Sequence, residues 1–239
     1  KEFAWGRAGK FDQRIHKVKN RSISWLMIKD KCLLSCLLLI AAGMLFFGCQ
    51  GKTFDPAYLK EKAPTEFNIR FETTKGDFDV RIYTAWSPLA ADRLYQLVKH
   101  KYFDYAIFYR VTADYVAQFG SSNRVLTSQW MAYPVPDEPV LKSNKRGTMT
   151  FARAGKDNRG SDLFINLADN TRLDTTEHLG VRGYPPFGKV IHGMEVVEKL
   201  FDVYGDDLMQ ETGRMYSDRN GFMQTYPGLD YVKKAYLVE

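Results

Sequence analysis

After Cys49 the chain contains no cysteine, so residues 50–239 can form neither an internal disulfide nor a thiolate metal site. That stretch also lacks net charge. The 239 residues carry Lys+Arg 34 against Asp+Glu 28, a formal +6. Residues 1–48 hold nine of the basic residues and three of the acidic ones, which leaves 25 of each sign in residues 49–239. A body without positive excess has no field to gather phosphates, which argues against a nucleic-acid partner. Histidine is scarce, and His16, His100, His178 and His192 show no metal-ligand spacing. There is no Gly-x-Ser-x-Gly elbow to present an acyl-transfer nucleophile. Gly183 through Gly188-Lys189 copies the spacing of a phosphate loop. However, Val190 stands where Ser or Thr is needed, and Pro185 and Pro186 remove two backbone donors. No metal and no cofactor are expected. Internal repeats and low-complexity segments are missing too, and 45% hydrophobic with 26% charged residues is a globular mixture.

The one long uncharged run is Cys32 to Gly51, Leu-rich from Leu33 to Phe47, with Lys29 and Lys31 just before it. Positive residues, an apolar stretch and then small residues form the layout of a secretory signal. Its end, Phe46-Phe47-Gly48-Cys49, resembles a bacterial lipoprotein signal in which the cysteine becomes lipidated, although Phe46 and Phe47 depart from the preferred residues. The alternatives are an ordinary cleaved signal and an uncleaved anchor, since about 20 apolar residues can span a bilayer. Each sends the body out of the cytoplasm. The expected location is the cell envelope, membrane-anchored and facing the periplasm or exterior. Met27 would open a signal of residues 27–48, and residues 1–26 read as a non-native or upstream segment. Residues 49–65, polar with two prolines, read as a tether. Residues 66–239 read as the functional domain, expected as a monomer.

The domain is rich in short strands. Glu66–Thr74 and Asp77–Tyr83 alternate apolar and polar residues around a tight turn at Lys75-Gly76. Ser87-Pro88 reads as a helix start, Ala90, Leu94, Leu97 and Val98 as its apolar stripe, and Lys99 to Lys101 as its end. Further strands are expected at Ala106–Val111, Tyr115–Phe119, Thr148–Arg153, Leu163–Leu167 and Phe187–Ile191, with a second helix at Met194–Phe201. Many short strands with few helices predict a sandwich or a closed barrel. Asp206-Asp207 reads as a solvated loop.

Three polar residues interrupt apolar runs. Arg110 sits in Ile107-Phe-Tyr-Arg-Val111, Gln118 in Tyr115-Val-Ala-Gln-Phe119, and Asp162 just before Leu163-Phe164-Ile165. An arginine is rarely buried without a partner, so Arg110 either points to solvent or belongs to a site. The even separation of Arg110 and Gln118 puts both on one face if the bend between them keeps phase.

The segment Phe108-Tyr-Arg-Val-Thr-Ala-Asp-Tyr-Val-Ala-Gln-Phe-Gly120 resembles the cyclophilin signature F-H-R-V-I-P-G-F-M-I-Q-G-G. Gly147-Thr-Met-Thr-Phe-Ala-Arg-Ala154 and Gly160-Ser-Asp-Leu-Phe-Ile165 resemble that family's G-T-L-S-M-A and G-S-Q-F-F-I. Pro136-Asp-Glu138 and Phe187-Gly-Lys-Val190 fall in order with them, and the resemblance covers roughly residues 66–203. It implies a mainly β fold, a closed eight-stranded antiparallel barrel with two capping helices. It also implies peptidyl-prolyl cis–trans isomerase activity on proline-containing polypeptides without a cofactor, here assisting exported proteins. A proline-peptide-binding module or chaperone with little turnover is the alternative.

By the same resemblance Arg110 falls on the catalytic arginine and Gln118 on the glutamine beside it. Tyr115, Val116, Ala152, Leu163 and Phe164 fall on the wall around the proline ring, and Tyr184 where many members have His. Tyr109 replaces the motif His, a minor change. Asp162 replaces Gln, turning an amide donor into an acceptor-only carboxylate. Arg172 stands where the family places an aromatic, and a planar guanidinium can stack in its stead. Asp162 and Arg172 are candidates to pair with each other or to weaken peptide binding.

Overall fold

Strand alternation decides burial in the first hairpin. In β1 (Glu66–Thr73) Ile69, Phe71 and Thr73 point inward, and in β2 (Gly76–Tyr83) Phe78, Val80 and Ile82 do the same. The pair is in register from Glu66–Tyr83 to Thr73–Gly76, so Thr74 and Lys75 form the loop and Gly76 is the first residue of β2. Gly76 has φ +129°, a backbone conformation that favours glycine, and a side chain there would press on Val196. The computed structural model describes residues 54–120 and 123–238. The segments 1–26 and 27–48, with Cys49 and its proposed lipidation, lie outside the described residues.

The remaining strands are β3 (Ile107–Thr112), β4 (Val116–Gly120), β5 (Thr148–Arg153), β6 (Arg159–Asn166), β7 (Glu177–His178), β8 (Val181–Arg182), β9 (Gly188–His192) and β10 (Val232–Val238). β7 and β8 pair only with each other. The other eight make one curled antiparallel sheet in the order β10-β1-β2-β9-β5-β6-β4-β3. An isolated bridge joins Ile107 of β3 to Tyr231, the residue before β10. There Tyr105 N–H donates to the Val232 carbonyl at 2.7 Å and Val232 N–H to the Ala106 carbonyl at 2.8 Å.

Helix α1 (Pro88–Lys99) buries Ala90, Ala91, Leu94, Leu97 and Val98 in one core with Phe71, Phe78, Phe119 and Met149 of the sheet and Phe103 of the following turn. Ser87 precedes the helix without capping it through its side chain. Its hydroxyl turns to Glu138, and the Glu138 carboxylate accepts the N–H groups of Leu89 (2.8 Å) and Ala90 (3.1 Å). Glu138 also meets fully buried Arg159 at 2.8 Å. The second expected helix shrinks to α3 (Met194–Val197). Helices α2 (Arg124–Met131), α4 (Thr212–Ser217) and α5 (Arg219–Thr225) were not foreseen from the sequence. Residues 54–65, read as part of a tether, pack on the domain: Phe54, Tyr58, Leu59 and Ala63 lie against the core.

Candidate active site

Pairing across four strands assembles the site. Arg110 of β3 lies opposite Gln118 of β4, Gln118 opposite Phe164 of β6, and Phe164 opposite Thr150 of β5. Because side chains alternate, the neighbours one step along point the other way: Val111, Ala117, Ile165 and Met149 are in the core. A bulge between Phe108 and Arg110 adjusts the phase of β3. It lets Tyr109 and Arg110 both reach Gln118 on the outer face, while Phe108 and Val111 remain in the core. The even spacing of Arg110 and Gln118 therefore means what the sequence suggested.

Val116, Phe164 and Leu173 form a small apolar cluster, with Tyr115, Ala152 and Tyr184 packed on it. These residues, with Arg110, Gln118, Arg153, His178 and Met209, line a cavity of about 220 Å³. Phe164 and Tyr184 meet edge to face at 5.9 Å. Arg153 lies 4.1 Å above the Tyr184 ring and donates to the Val181 carbonyl at 3.0 Å, and burial lowers its pKa. The result is an apolar floor with two guanidinium groups beside it, Arg153 held over Tyr184 and Arg110 at the Gln118 edge.

Arg110 is held from two sides. Its Nη1 donates to Gln118 Oε1 at 3.2 Å, and its Nε donates to Asp206 Oδ1 at 2.6 Å. Behind Gln118 the bonds continue inward. Gln118 Nε2 donates to the Tyr109 hydroxyl at 2.6 Å, and that hydroxyl donates to Asp162 Oδ2 at 2.7 Å. Tyr216 donates to the same carboxylate oxygen at 3.2 Å. Asp162 can only accept when ionised, so the Tyr109 hydroxyl donates its hydrogen bond to the carboxylate and accepts one from the Gln118 amide nitrogen. That leaves the Gln118 oxygen facing Arg110. Burial pushes the Asp162 carboxyl up, opposed by hydrogen bonds from Tyr109, Tyr216 and Ser161, and burial beside Asp162 pushes the Tyr109 hydroxyl well up.

Of the residues expected at the site, Arg110, Gln118, Tyr115, Val116, Ala152, Phe164 and Tyr184 converge on the cavity. Leu163 does not. It lies one residue from Phe164, faces Phe119 and Phe151, and is fully buried in the main core. Asp162 lines a neighbouring cavity of about 340 Å³, which shares Gln118, Ala152, Arg153 and Met209 with the first. Arg172 is exposed and places its guanidinium 4.7 Å above the Tyr115 ring, so it backs the wall without lining the cavity. Asp162 and Arg172 do not pair: the carboxylate lines the second cavity and accepts from Tyr109 and Tyr216, while the Arg172 guanidinium lies over Tyr115. Leu173, Arg153, His178 and Met209 were not anticipated. Leu173 adjoins Arg172 within the recognised pattern, whereas Met209 comes from an aperiodic C-terminal segment that gave no signal. Asp206, read as solvated, is the ion-pair partner of Arg110. Among the described residues, no group of three His, Cys, Asp or Glu could hold a metal ion.

The family model described as cyclophilin type peptidyl-prolyl cis-trans isomerase/CLD matches residues 68–217. The chain is 32% identical over 137 residues to a peptidyl-prolyl cis-trans isomerase of Acinetobacter baylyi, covering 56% of this chain and 72% of that protein. It is 31% identical over 159 residues to peptidyl-prolyl cis-trans isomerase A of Dickeya dadantii, covering 65% and 80%. The fold is similar to a crystal structure of a Cryptosporidium parvum cyclophilin type peptidyl-prolyl cis-trans isomerase in the presence of the dipeptide Ala-Pro. That match has a TM-score of 0.51 at 18% identity and covers 72% of this chain and 99% of that one.

Proposed function

The chain belongs to the cyclophilin-type peptidyl-prolyl cis–trans isomerases, and from that premise we propose that Arg110 carries the chemistry on a proline seated over Val116, Phe164 and Leu173. The observation that supports this most is the placement of Arg110 directly opposite Gln118 at the edge of the apolar cavity.

The X–Pro bond turns slowly because amide resonance must break, a barrier of ~18–20 kcal/mol. In the twisted state the imide nitrogen becomes pyramidal and regains a lone pair. A fixed arginine donor at the cavity edge binds that state more strongly than the planar ground state, whether at the nitrogen or at the carbonyl oxygen. Arginine stays charged at any working pH, and the apolar floor excludes water from the turning bond. Gln118 holds the guanidinium, and Tyr115 and Tyr184 flank the ring. Proline-containing polypeptides are the substrates of this reading, as the Ala-Pro dipeptide of the Cryptosporidium parvum structure suggests. Arg110→Ala is expected to lower kcat/KM at least about tenfold, ~1.4 kcal/mol of transition-state stabilisation, with an unchanged fold. Exchange NMR on an Ala-Pro peptide reads this directly, and wild-type turnover in the variant would remove Arg110 from the role.

We read the Ile107–Tyr231 seam as closure of the curled sheet into a barrel, which leaves the edge of β3 covered. We further place the enzyme in the cell envelope as a monomer acting on exported chains. The support is the neutral body, the apolar run before Cys49 and that cysteine itself. Intact mass of membrane-extracted protein tests the placement. Lipid on Cys49 with residues 27–48 removed is the expected result, and residues 27–48 retained without lipid would replace it by an uncleaved anchor.

A further inference from the structure

The segment that follows α3 returns to the active site. Val111 of β3 bridges Gly205. Leu208, two residues after Asp206, is buried with Ile107, Tyr109, Met215 and Phe222. This docking delivers two side chains to the site, Met209 to the cavity wall and Asp206 to Arg110. The Asp206 Oδ1 accepts from Arg110 Nε at 2.6 Å and from Thr112 Oγ1 at 2.9 Å.

We propose that Asp206 is a positioning residue for Arg110, a role that rests on the assignment of Arg110 made above. A guanidinium is a rigid plane, so two bonds on different nitrogens fix its rotation. Asp206 takes Nε and Gln118 takes Nη1, and they approach from different elements. Thr112 fixes the carboxylate in turn. The terminal N–H groups that remain are aimed without any reorganisation when the imide twists, the condition under which a donor lowers a barrier most.

The exposure of the pair separates this role from a structural one. The Asp206 side chain is 59% exposed and that of Arg110 20% exposed. An ion pair so open to water contributes little to folding. Its effect is therefore expected in turnover and not in stability.

The test uses steady-state exchange on a proline peptide with the purified protein. Asp206→Ala is expected to lower kcat about fivefold, with KM within about twofold of wild type and an unchanged melting temperature. Asp206→Glu, which keeps the carboxylate, is expected to restore most of the loss. On an Arg110→Ala background, Asp206→Ala is expected to have no further effect, because it acts through Arg110. The Arg110 Nε–H resonance is expected to shift in Asp206→Ala. An unchanged or raised kcat in Asp206→Ala would overturn the proposal, the latter showing that Asp206 competes with substrate. An equal loss on the Arg110→Ala background would overturn it too. If Arg110→Ala itself keeps wild-type turnover, both assignments fall; if it is impaired and Asp206→Ala is not, only the role of Asp206 falls.

Discussion

Two carboxylates reach the same network from opposite sides, and their surroundings drive them in opposite directions. Arg110 holds Asp206 below the usual carboxylate range, helped by the Thr112 hydroxyl against a smaller effect of burial. Burial pushes Asp162 above that range. A raised folded pKa means that the folded state favours the protonated acid. The stability which that proton supplies is fully present below the unfolded value of about 3.9, and is lost as pH rises through the folded value. At neutral pH the Asp162 charge is therefore a cost to folding. Asp162→Asn keeps an oxygen acceptor for Tyr109 and removes the charge. It is expected to be more stable than wild type at pH 7, with the gap closing toward pH 4, as urea unfolding at the two pH values will show. A second prediction concerns Tyr109→Phe, which deletes the middle of the Gln118–Tyr109–Asp162 chain. Freed from it, the Gln118 amide can rotate, and kcat/KM is expected to fall roughly threefold to tenfold. An unchanged kcat/KM would show that Arg110 alone fixes the Gln118 amide. At this scale the sequence was legible wherever a polar side chain broke an apolar run, as at Arg110, Gln118 and Asp162. Tyr109 read as a minor change, because only the bulge in β3 brings its hydroxyl between Gln118 and Asp162.

Elements were legible when their burial had a period. β1, β2 and α1 show a clean face, and their bounds were read within a residue or two. β10 has buried Val232 and Ala235 with exposed Lys233 and Lys234 between them, a spacing of three that matches neither strand nor helix in so short a run. The first half of β6 is polar because Arg159 is buried against Glu138 while Ser161 and Asp162 line the second cavity, so the apolar pattern begins only at Leu163. Ser87-Pro88 does mark the start of α1, but the cap is Glu138 from a distant loop and not the Ser87 side chain. Glu138 joins three things: the first turn of α1, Ser87 and fully buried Arg159. Asp137 stands 3.8 Å from Arg159, and the Pro136 carbonyl accepts from it, yet neither replaces a contacting carboxylate. Glu138→Gln is therefore expected to cost about 3 kcal/mol, the usual penalty for leaving one partner of a buried pair uncompensated. Neither Glu138 nor Arg159 lines the cavity, although Arg159 begins the strand that carries Phe164, so the folded fraction is expected to keep its kcat. Denaturant unfolding and turnover measured on one preparation separate the two effects.

At the scale of the molecule, the two ends of the domain are where the sequence was least informative. The C-terminal segment carries Asp206 and Met209 to the site without periodicity to announce it. At the other end, residues 54–65 looked like a tether because they are polar and contain prolines, but a few apolar side chains among them decide the outcome. Phe54 meets Trp130 edge to face at 4.9 Å and stacks on Tyr133 at 5.6 Å. Tyr58 stacks on His100 at 3.4 Å. The backbone is tied down as well: Asp92 accepts the Ala63 N–H at 2.8 Å, and Gln96 donates to the Glu61 carbonyl at 2.8 Å. Removing this arm uncovers Trp130, which is 1% exposed in its presence, and the outer side of α1. These partly buried contacts favour the docked arm, and the backbone entropy of ordering it opposes them. The arm also releases that entropy when it is deleted, so the loss of stability is expected to be smaller than the buried contacts alone would give. A fragment of residues 66–239 is accordingly expected to unfold at a lower urea concentration than one of residues 52–239. Arg110, Gln118 and the cavity belong to strands that both fragments contain, so turnover per folded molecule is expected to be the same. Equal urea midpoints would mean that residues 54–65 rest on the domain without holding it. Equal stability with lost turnover would mean that they reach the site by a route other than packing.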